Sequence, residues 1–297
     1  MLGETAQTDD LDAAAETFAA VRPRLFGIAY RMLGTVADAE DIVQATWERW
    51  QNADRSAVRE PAAFLATTTT RLAINLAQSA RVRRETYVGP WLPEPVDTSA
   101  DPLLGAERGE ALEFAVLVLL EKLTPTERAA YVLREAFDYP YAQIAEIIQG
   151  SEASARQLVS RARKHLAEER QVREVDQQEQ RRMLEAFLEA AKSGDIEELE
   201  RIFADDIVSY ADGGGLARAS RIPVSTRETV AKYLHAFHSR FWEGTVRIVE
   251  ANGAPAAVLV RDGAVVAFVT LDVTADGIRR LQWVLNPEKL ERLPVPA

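Results

Sequence analysis

The chain has 297 residues, a net charge of −11 and 47% hydrophobic residues, enough for two or three domains with cores of their own. It contains no cysteine, which excludes disulfides and thiolate metal sites, and its three histidines are too few to indicate a zinc site. No apolar run approaches the ~20 residues of a membrane span and no signal peptide is visible, so we expect a soluble cytoplasmic protein without metal or cofactor.

The first 85 residues predict an acidic lead-in followed by a helical domain. Residues 1–20 are acidic and rich in alanine, and we expect them to lead into a first helix. Residues 21–85 are predicted to be wholly helical, with Pro23 and Pro61 in the first turns of two helices.

One helix of this domain, Ala37–Trp50, has two contrasting sides. Its apolar side carries Ile42, Val43, Trp47 and Trp50. Its other side is acidic, with Asp38, Glu40, Asp41 and Glu48. Such a helix suits docking to a basic protein surface, and a plain solvated face is the alternative explanation.

A later helix of the domain combines polar and basic side chains. Four threonines, Thr67–Thr70, come before the polar and basic residues Arg71, Asn75, Gln78, Arg81, Arg83 and Arg84. Proteins hold single-stranded DNA with basic side chains that contact its phosphate backbone and with polar side chains beside them. An ordinary polar helix face is the alternative, and the β-branched threonines need packing to stay helical.

The next two segments are a linker and a second helical domain. Residues 86–103 hold four prolines, which disfavour both helix and strand, so they are predicted to form an extended linker. Residues 104–170 are predicted to be helical and to end in a helix-turn-helix over Gln143–Leu166.

The second helix of this motif is predicted to enter the major groove of DNA. Gly150 is expected to end the first helix in the left-handed conformation, and Ser151 to cap the second. The second helix carries four bases, Arg156, Arg161, Arg163 and Lys164, in a chain that is acidic overall. These basic side chains can neutralise DNA phosphates, while the acidic charge of the rest of the chain limits nonspecific binding to DNA.

Residues 171–297 predict an α+β domain, with three helices followed by an antiparallel sheet. The helices are expected at 182–192, 195–203 and 226–240, and the strands at 245–250, 256–261, 265–273 and 278–285. Asn252–Gly253, Asp262–Gly263 and Asp276–Gly277 are typical of hairpin turns.

Taken together, residues ~20–170 resemble an extracytoplasmic-function sigma factor of bacterial RNA polymerase, with region 2 over 21–85 and region 4 over 104–170. The resemblance implies binding to core polymerase, at the β′ clamp helices and the β flap, and to promoter DNA. Core binding would fall on Asp38, Glu40, Asp41 and Trp47. Contacts to the −10 element would fall on Arg71, Asn75, Gln78, Arg81, Arg83 and Arg84.

In region 4 the family's Pro-x-x-Arg opening is matched by Pro125 and Arg128. The resemblance places the residues that recognise the −35 element at Ser154, Arg156, Gln157, Ser160 and Arg161. Arginine can pair bidentately with guanine and glutamine with adenine, whereas Arg163 and Lys164 are expected on phosphates.

Three further strings, Tyr87–Pro95, Asp212–Gly215 and Asn286–Leu290, resemble the SigJ/ECF41 type, in which a SnoaL-like domain of the nuclear-transport-factor-2 fold follows the sigma regions. We expect this domain, residues 171–297, to modulate the sigma activity in cis. The predicted regulatory contacts are Trp91, Leu92, Pro93, Asp212, Gly213, Gly214, Gly215, Asn286, Pro287 and Lys289.

Two other functions stay open from the sequence: a helix-turn-helix transcription regulator with a ligand-sensing cone, and a SnoaL-like enzyme with a helical appendage. An enzyme needs an acid or base in the cone, and the candidates are Asp212, His235 and His238. Neither histidine has an orienting carboxylate nearby in sequence, and Asp212 precedes three glycines that suit a docking loop. No catalytic residue is therefore predicted, and a separate anti-sigma partner is left open.

Overall fold

The computed structural model describes residues 2–98, 113–169 and 175–295 and divides the chain into two compact units. The helical unit holds residues 2–83 and Leu119–Glu169, and the sheet unit holds residues 84–98, 113–118 and 175–295. The predicted boundaries at 103–104 and 170–171 lie outside the described residues. No helix among the described residues is long and apolar enough to cross a membrane.

Among the described residues up to Glu169, the chain forms seven α-helices and one 3-10 turn over Arg55–Ala57. The helices are α1 Leu2–Leu33, α2 Val36–Gln51, α3 Pro61–Glu85, α4 Phe114–Leu120, α5 Pro125–Glu135, α6 Tyr141–Ile147 and α7 Glu152–Glu169. In the helical unit, α1–α3 form a first half and Leu119–Glu169, which holds α5–α7, a second half.

Helix α1 begins earlier than predicted. Pro23 lies inside this helix rather than in its first turn, so that prediction is wrong. The alanine-rich stretch before it has high helix propensity and extends the helix toward Leu2. The contact of Trp50 with α1 also holds this stretch, because its indole N–H donates to the Ala14 carbonyl at 3.1 Å.

Local capping sets the ends of the helix-turn-helix. Thr124 and Glu127 form a capping box at the start of α5, and the Ser151 hydroxyl accepts the Ser154 N–H at the start of α7, as predicted. The left-handed residue of the turn is Gln149, with φ 57°, and not Gly150. The Gly150 N–H instead donates to the Ala145 carbonyl, which satisfies an end of α6 and moves the left-handed position one residue earlier.

The sheet unit contains a six-stranded sheet with helices packed on it. Its elements are α8 Gln177–Ser193, α9 Ile196–Ile202, β1 Phe203–Asp212, β2 Val224–Ser225, α10 Arg227–Phe241, β3 Thr245–Ala251, β4 Ala254–Arg261, β5 Ala264–Thr274, β6 Gly277–Val284 and α11 Pro287–Leu290. The strand order is β2-β1-β6-β5-β4-β3. The α+β fold of the prediction is confirmed.

Strands β1 and β2 were not predicted, and the sheet is not purely antiparallel. Strand β1 pairs in parallel with β6, with Tyr210 opposite Gln282, while the other pairings are antiparallel. The exposed pair Asp205–Asp206 interrupts the apolar alternation of β1, and the strand follows α9 without a turn signal. By contrast, Asn252–Gly253 and Asp262–Gly263 have positive φ at both residues, as a type I′ hairpin requires.

The proline-rich segment before residue 99 belongs to the sheet unit and is not a free tether. Asp97 forms a bridge with Ala251 of β3, and the Asn252 N–H donates to the Val96 carbonyl at 2.9 Å. Leu92 is 1% exposed in a cluster with Phe268 of β5. The segment therefore covers part of the sheet.

Candidate functional site

The exposed polar stripe of α3 is formed by Arg71, Asn75 and Gln78, which lie one to two helical turns apart. Asn75 and Gln78 are open to solvent. The side chains of Arg81 and Arg83 lie outside the described residues. Arg84 belongs to the sheet unit, and its guanidinium lies 3.6 Å from the centre of the Trp91 ring. Among the described side chains of the predicted −10 residues, Arg71, Asn75 and Gln78 thus share one exposed stripe, and Arg84 contacts Trp91.

The threonine run of α3 is largely structural. Thr69 and Thr70 are fully buried, and the Thr69 hydroxyl lies 3.0 Å from that of Thr46 on α2. The Thr68 and Thr70 hydroxyls donate back to helix carbonyls four residues earlier. Packing and these bonds keep the β-branched residues helical, and the exposed polar groups begin beyond them.

The acidic side of α2 is only partly free. Asp38 accepts a hydrogen bond from the Thr35 hydroxyl at 2.7 Å, and Glu40 pairs with Arg22 at 2.6 Å. Asp41 is exposed and has no partner in the part of the chain that the structure describes. Trp47 is half-buried against Phe18, with ring centres 5.0 Å apart. Asp41 and Trp47 thus remain accessible for a protein partner.

Helix α7 separates a buried face from a polar face. Ala155, Leu158, Val159, Ala162 and Leu166 are buried, while Gln157 and Ser160 are exposed and Ser154 is half-buried. Its arginines have acidic partners: Arg156 pairs with Glu152, Arg161 with Glu127 at 2.9 Å, and Arg163 with Glu135 at 2.7 Å. Lys164 is also exposed. The predicted −35 residues share one accessible face.

Arginines connect the two halves of the helical unit. Arg71 donates to the Ile147 and Glu146 carbonyls at 3.0 and 2.8 Å, at the end of α6. Arg24 donates to the Phe137 carbonyl at 3.0 Å, and Arg128 donates to the Met32 carbonyl at 2.8 Å. The predicted −10 residue Arg71 is therefore engaged by the helix-turn-helix in this conformation.

The sheet unit brings the three strings of the sequence together around Asp212, which is fully buried at the end of β1. Its carboxylate accepts hydrogen bonds from the Tyr87 hydroxyl at 2.6 Å, the Leu92 N–H at 2.9 Å and the Lys289 ammonium at 2.6 Å. The Asn286 amide donates to the Tyr87 hydroxyl at 2.9 Å. We call these five residues the linker site.

Burial changes the proton affinities at the linker site. Burial lowers the pKa of Lys289 to about 8, although the Asp212 carboxylate acts in the opposite direction. The Lys289 ammonium also donates to the Leu92 carbonyl and lies 4.3 Å from the centre of the Trp91 ring. Burial and the hydrogen bond to Asp212 raise the pKa of Tyr87 well above its usual value, so its O–H remains a donor at neutral pH.

The glycines after Asp212 allow the chain to pass close to the linker site. Gly214 has φ 58°, and a Cβ on it would lie 2.4 Å from the Asn286 amide nitrogen and 2.9 Å from the Tyr87 hydroxyl. A Cβ on Gly213 would lie 2.5 Å from the Ala217 carbonyl oxygen. Pro287 follows the Asn286 cap in α11, and Pro93 is buried beside Leu92. The predicted regulatory contacts therefore gather in one place.

The candidate acids and bases of the cone make hydrogen bonds within the fold. Asp212 is fully engaged, as described above. His235 contacts the Gly194 carbonyl at 2.7 Å, and His238 contacts the His235 carbonyl at 2.6 Å. No group of three or more His, Cys, Asp or Glu side chains among the described residues could hold a metal ion.

Three residues that hold these contacts were not predicted as site residues: Tyr87, Arg24 and Asn252. Tyr87 lies in the same string as Trp91 and Leu92, so the string itself was the available signal. Arg24 and Asn252 act through backbone carbonyls and N–H groups far away in sequence. No local pattern indicates such contacts.

Comparison with known proteins gives matches over nearly all of the chain. Residues 17–83 match sigma-70 region 2, and residues 113–166 match sigma-70, region 4. The chain is 35% identical over 292 residues to the ECF RNA polymerase sigma factor SigJ of Mycobacterium tuberculosis (strain ATCC 25618 / H37Rv), covering 94% of this chain and 93% of the relative. It is 28% identical over 288 residues to the probable ECF RNA polymerase sigma factor SigI of Mycobacterium tuberculosis (strain CDC 1551 / Oshkosh), covering 95% and 96%.

A solved structure matches over a similar share of the chain. The crystal structure of the Mycobacterium tuberculosis extracytoplasmic function sigma factor SigJ aligns with a TM-score of 0.77 at 32% identity. The alignment covers 95% of this chain and all of that one, 100%.

We predict that Asp212→Asn weakens the linker site because it leaves the Lys289 ammonium buried without a counter-charge. The free energy of local opening at Leu92, measured by amide hydrogen exchange, should fall by about 3–5 kcal/mol or to the limit set by global unfolding. The double variant Asp212→Asn/Lys289→Met removes both charges and should recover about 1 kcal/mol or more of the loss. Greater loss in the double variant would show that the ion pair is not what makes the single change costly.

Proposed function

This chain belongs to the extracytoplasmic-function sigma factors of RNA polymerase, in the SigJ type with a SnoaL-like C-terminal domain, and we propose which of its residues recognise promoter and polymerase. As a sigma factor, it associates with core polymerase and directs transcription initiation.

The observation that carries the promoter assignment is the exposed polar face of α7. Gln157 and Ser160 lie open on the second helix of a helix-turn-helix, as direct contact with base edges in the major groove requires. Arg156 and Arg161 flank them, and Arg163 and Lys164 follow on the helix as phosphate contacts. This face would take the −35 element, and Asn75 and Gln78 of α3 the −10 strand.

Core polymerase would be held by the acidic side of α2. Asp41 is exposed and unengaged among the described residues, and Trp47 offers a half-buried aromatic edge beside it. Asp38 and Glu40 are already held by Thr35 and Arg22, so they would position the helix surface as well as add charge. The β′ clamp helices are the proposed partner of this side and the β flap that of region 4, and a partner of this kind places the protein in the cytoplasm.

Promoter binding would have to replace contacts inside the helical unit. Arg71 cannot donate to the Glu146 and Ile147 carbonyls and contact DNA with the same N–H groups at the same time. We infer that the two halves separate when the sigma factor engages promoter DNA. The arginines of the interface, Arg24, Arg71 and Arg128, would then lose their carbonyl partners.

The sheet unit would act in cis through the linker site. The segment between regions 2 and 4 is fixed to β1 and α11 by Tyr87, Leu92 and Lys289. Any change that releases this segment changes the length of chain free to separate the two regions. The proposed role is therefore regulatory and without chemistry of its own, and a separate anti-sigma factor is compatible with it.

A ligand-sensing helix-turn-helix regulator is the competing function. We expect promoter-specific run-off transcripts when core polymerase is supplied with this chain and a template library randomised at the −35 and −10 boxes. Gln157→Ala should relax base preference at one −35 position, with about 1–3 kcal/mol of lost discrimination. The exposed Arg201→Ala on α9 serves as the control and should leave the preference unchanged.

Asp41→Lys should lower the affinity for core polymerase, whereas Asp262→Lys in the β4–β5 hairpin should not.

In the run-off experiment, the absence of specific transcripts with both the full chain and a chain lacking residues 286–297 would contradict the assignment of promoter recognition and favour the ligand-sensing regulator.

The separation of the two halves can be measured directly because the chain has no native cysteine. Nitroxide spin labels on Gln51→Cys and His165→Cys report the distance between α2 and α7 by double electron–electron resonance. Arg24→Met removes the hydrogen bond to the Phe137 carbonyl and the contacts with the Phe137 and Tyr139 rings, and it should shift the distance distribution toward longer values. Core polymerase with promoter DNA should lengthen it in the unmodified chain, and an unchanged distance would rule out the separation. Arg49→Met is the control.

The regulatory role predicts that Tyr87→Phe changes promoter-dependent transcription. The change removes the O–H that donates to Asp212, and the loss of a hydrogen bond to a charged group should weaken attachment of the linker by about 1.5–3 kcal/mol. The matched control is Tyr210→Phe, a tyrosine of β1 outside the linker site. Tyr87→Phe could speed amide hydrogen exchange at Leu92 and still give the same transcription and solution scattering as Tyr210→Phe. That result would show that the linker site is structural and not regulatory.

A further inference from the structure

The sheet unit contains a cavity of about 540 Å³, whose lining includes none of the residues proposed to contact promoter or polymerase. The cavity lies between α10 and the strands β1, β4, β5 and β6, and its size is that of pockets that hold small organic ligands. None of the linker site residues lines it. The aromatic lining residues are Tyr233, Phe237, Phe241, Trp242 and Trp283.

Three of these rings form one edge-to-face cluster. Phe241 lies perpendicular to Trp242 and Trp283, at 88° in both pairs, with ring centres 5.2 and 5.3 Å apart. Trp242 and Trp283 are 6.1 Å apart at 62°. Edges and faces at these angles leave flat, apolar walls, to which a planar ring can stack or present its edge.

The charged groups of the lining have one sign. Arg218 and Arg261 are both lining residues, and neither has a carboxylate partner within the described parts of the chain. Most arginines of the sheet unit that form ion pairs do so on its outer surface, for example Arg182 with Glu179 and Arg201 with Glu198. In a chain with a net charge of −11, this cavity is thus lined by two arginines that no acidic side chain neutralises among the described residues.

The backbone holds one of these guanidinium groups in place. Arg261 donates from Nε to the Glu243 carbonyl at 3.0 Å and from Nη2 to the Phe241 carbonyl at 3.1 Å. Two hydrogen bonds fix the orientation of the planar group, so less side-chain entropy is lost when an anion binds to it. The Arg218 guanidinium lies 5.8 Å from the centre of the Phe237 ring, at the same lining.

The Tyr233 hydroxyl of the lining can donate a hydrogen bond. Tyr233 is half-buried, and burial raises its pKa, so its hydroxyl is protonated at neutral pH. Ser220 lies on the loop that carries Arg218, and its hydroxyl donates to the Ile222 carbonyl at 2.6 Å. The lining has no carboxylate and no imidazole among its described residues, so it offers donors and positive charge rather than a general base.

We propose that this cavity binds a small hydrophobic anion, a ring-sized or polycyclic body with one carboxylate or similar group held by Arg218 and Arg261. The aromatic walls take the apolar body, because they bury it out of water. The two guanidinium groups take the anion, because arginine binds planar oxyanions through paired N–H donors. The inference does not depend on the assignment of promoter contacts.

The test uses two probes that share an aromatic ring system and differ in charge. The anion 8-anilinonaphthalene-1-sulfonate and the neutral N-phenyl-1-naphthylamine are titrated into the folded full chain, and probe fluorescence excited through tryptophan is recorded. One saturable site is expected for the anion, with energy transfer that falls in Trp242→Phe. Arg218→Met/Arg261→Met should weaken binding of the anion by about tenfold or more, the equivalent of losing charge-assisted hydrogen bonds.

The neutral probe tests whether the variant still has a formed cavity. Its affinity should change by less than about twofold in the double arginine variant, since the apolar walls are unchanged. Val266→Phe, which adds bulk at a lining position, should weaken both probes, and the exposed Arg247→Met on β3 should affect neither. Equal losses of both probes in the arginine variant, unchanged affinity for the anion, or binding that does not saturate at one site would each overturn the proposal.

Discussion

The burial of the Asp212 carboxylate is the constraint on which the sheet unit depends. A charge without exposure to water is tolerated only where hydrogen bonds and an opposite charge replace hydration. Asp212 obtains two of its three side-chain partners, the Tyr87 hydroxyl and the Leu92 N–H, from the segment before residue 99, and the third from Lys289 of α11. The sheet therefore requires the linker to satisfy its own buried charge, which is why residues 84–98 belong to the sheet unit although they precede region 4 in the sequence.

The loop after Asp212 connects this constraint to the cavity. Gly214 approaches Tyr87 and Asn286, and four residues later Arg218 lines the aromatic cavity. The same loop meets the linker again, since a Cβ on Gly89 would lie 3.6 Å from the Arg221 backbone. Because one short loop is packed on the linker at both ends and on the cavity between them, its conformation is a shared property of the two sites. A group that orders Arg218 would also alter the entropy of the segment that holds Tyr87.

How much could be predicted from the sequence follows from the range of the interactions. The hairpins at Asn252–Gly253 and Asp262–Gly263 and the cap at Ser151 are local, and they were predicted. The SigJ-type resemblance, now confirmed, brought the three regulatory strings together, but it did not give the hydrogen bonds among them. The contacts of Arg71 and Arg24 were beyond prediction because their acceptors are backbone carbonyls, which every residue has. Strand β1 was missed because Asp205 and Asp206 mask its alternation, although Arg227 and Arg279 pair with them in the fold.

In the helical unit, several arginines proposed to contact DNA already have partners within the protein. Arg161 and Arg163 are held by Glu127 and Glu135 of α5, and Arg71 by backbone carbonyls of α6. Moving such an arginine onto a phosphate exchanges one partner for another, so the net gain is smaller than for a free base. The release of counterions from DNA still favours binding, but the broken internal contacts offset part of it. Nonspecific DNA supplies phosphates without base contacts and would repay this cost least. If α7 binds DNA as proposed, its acidic partners would therefore favour selectivity at the expense of affinity.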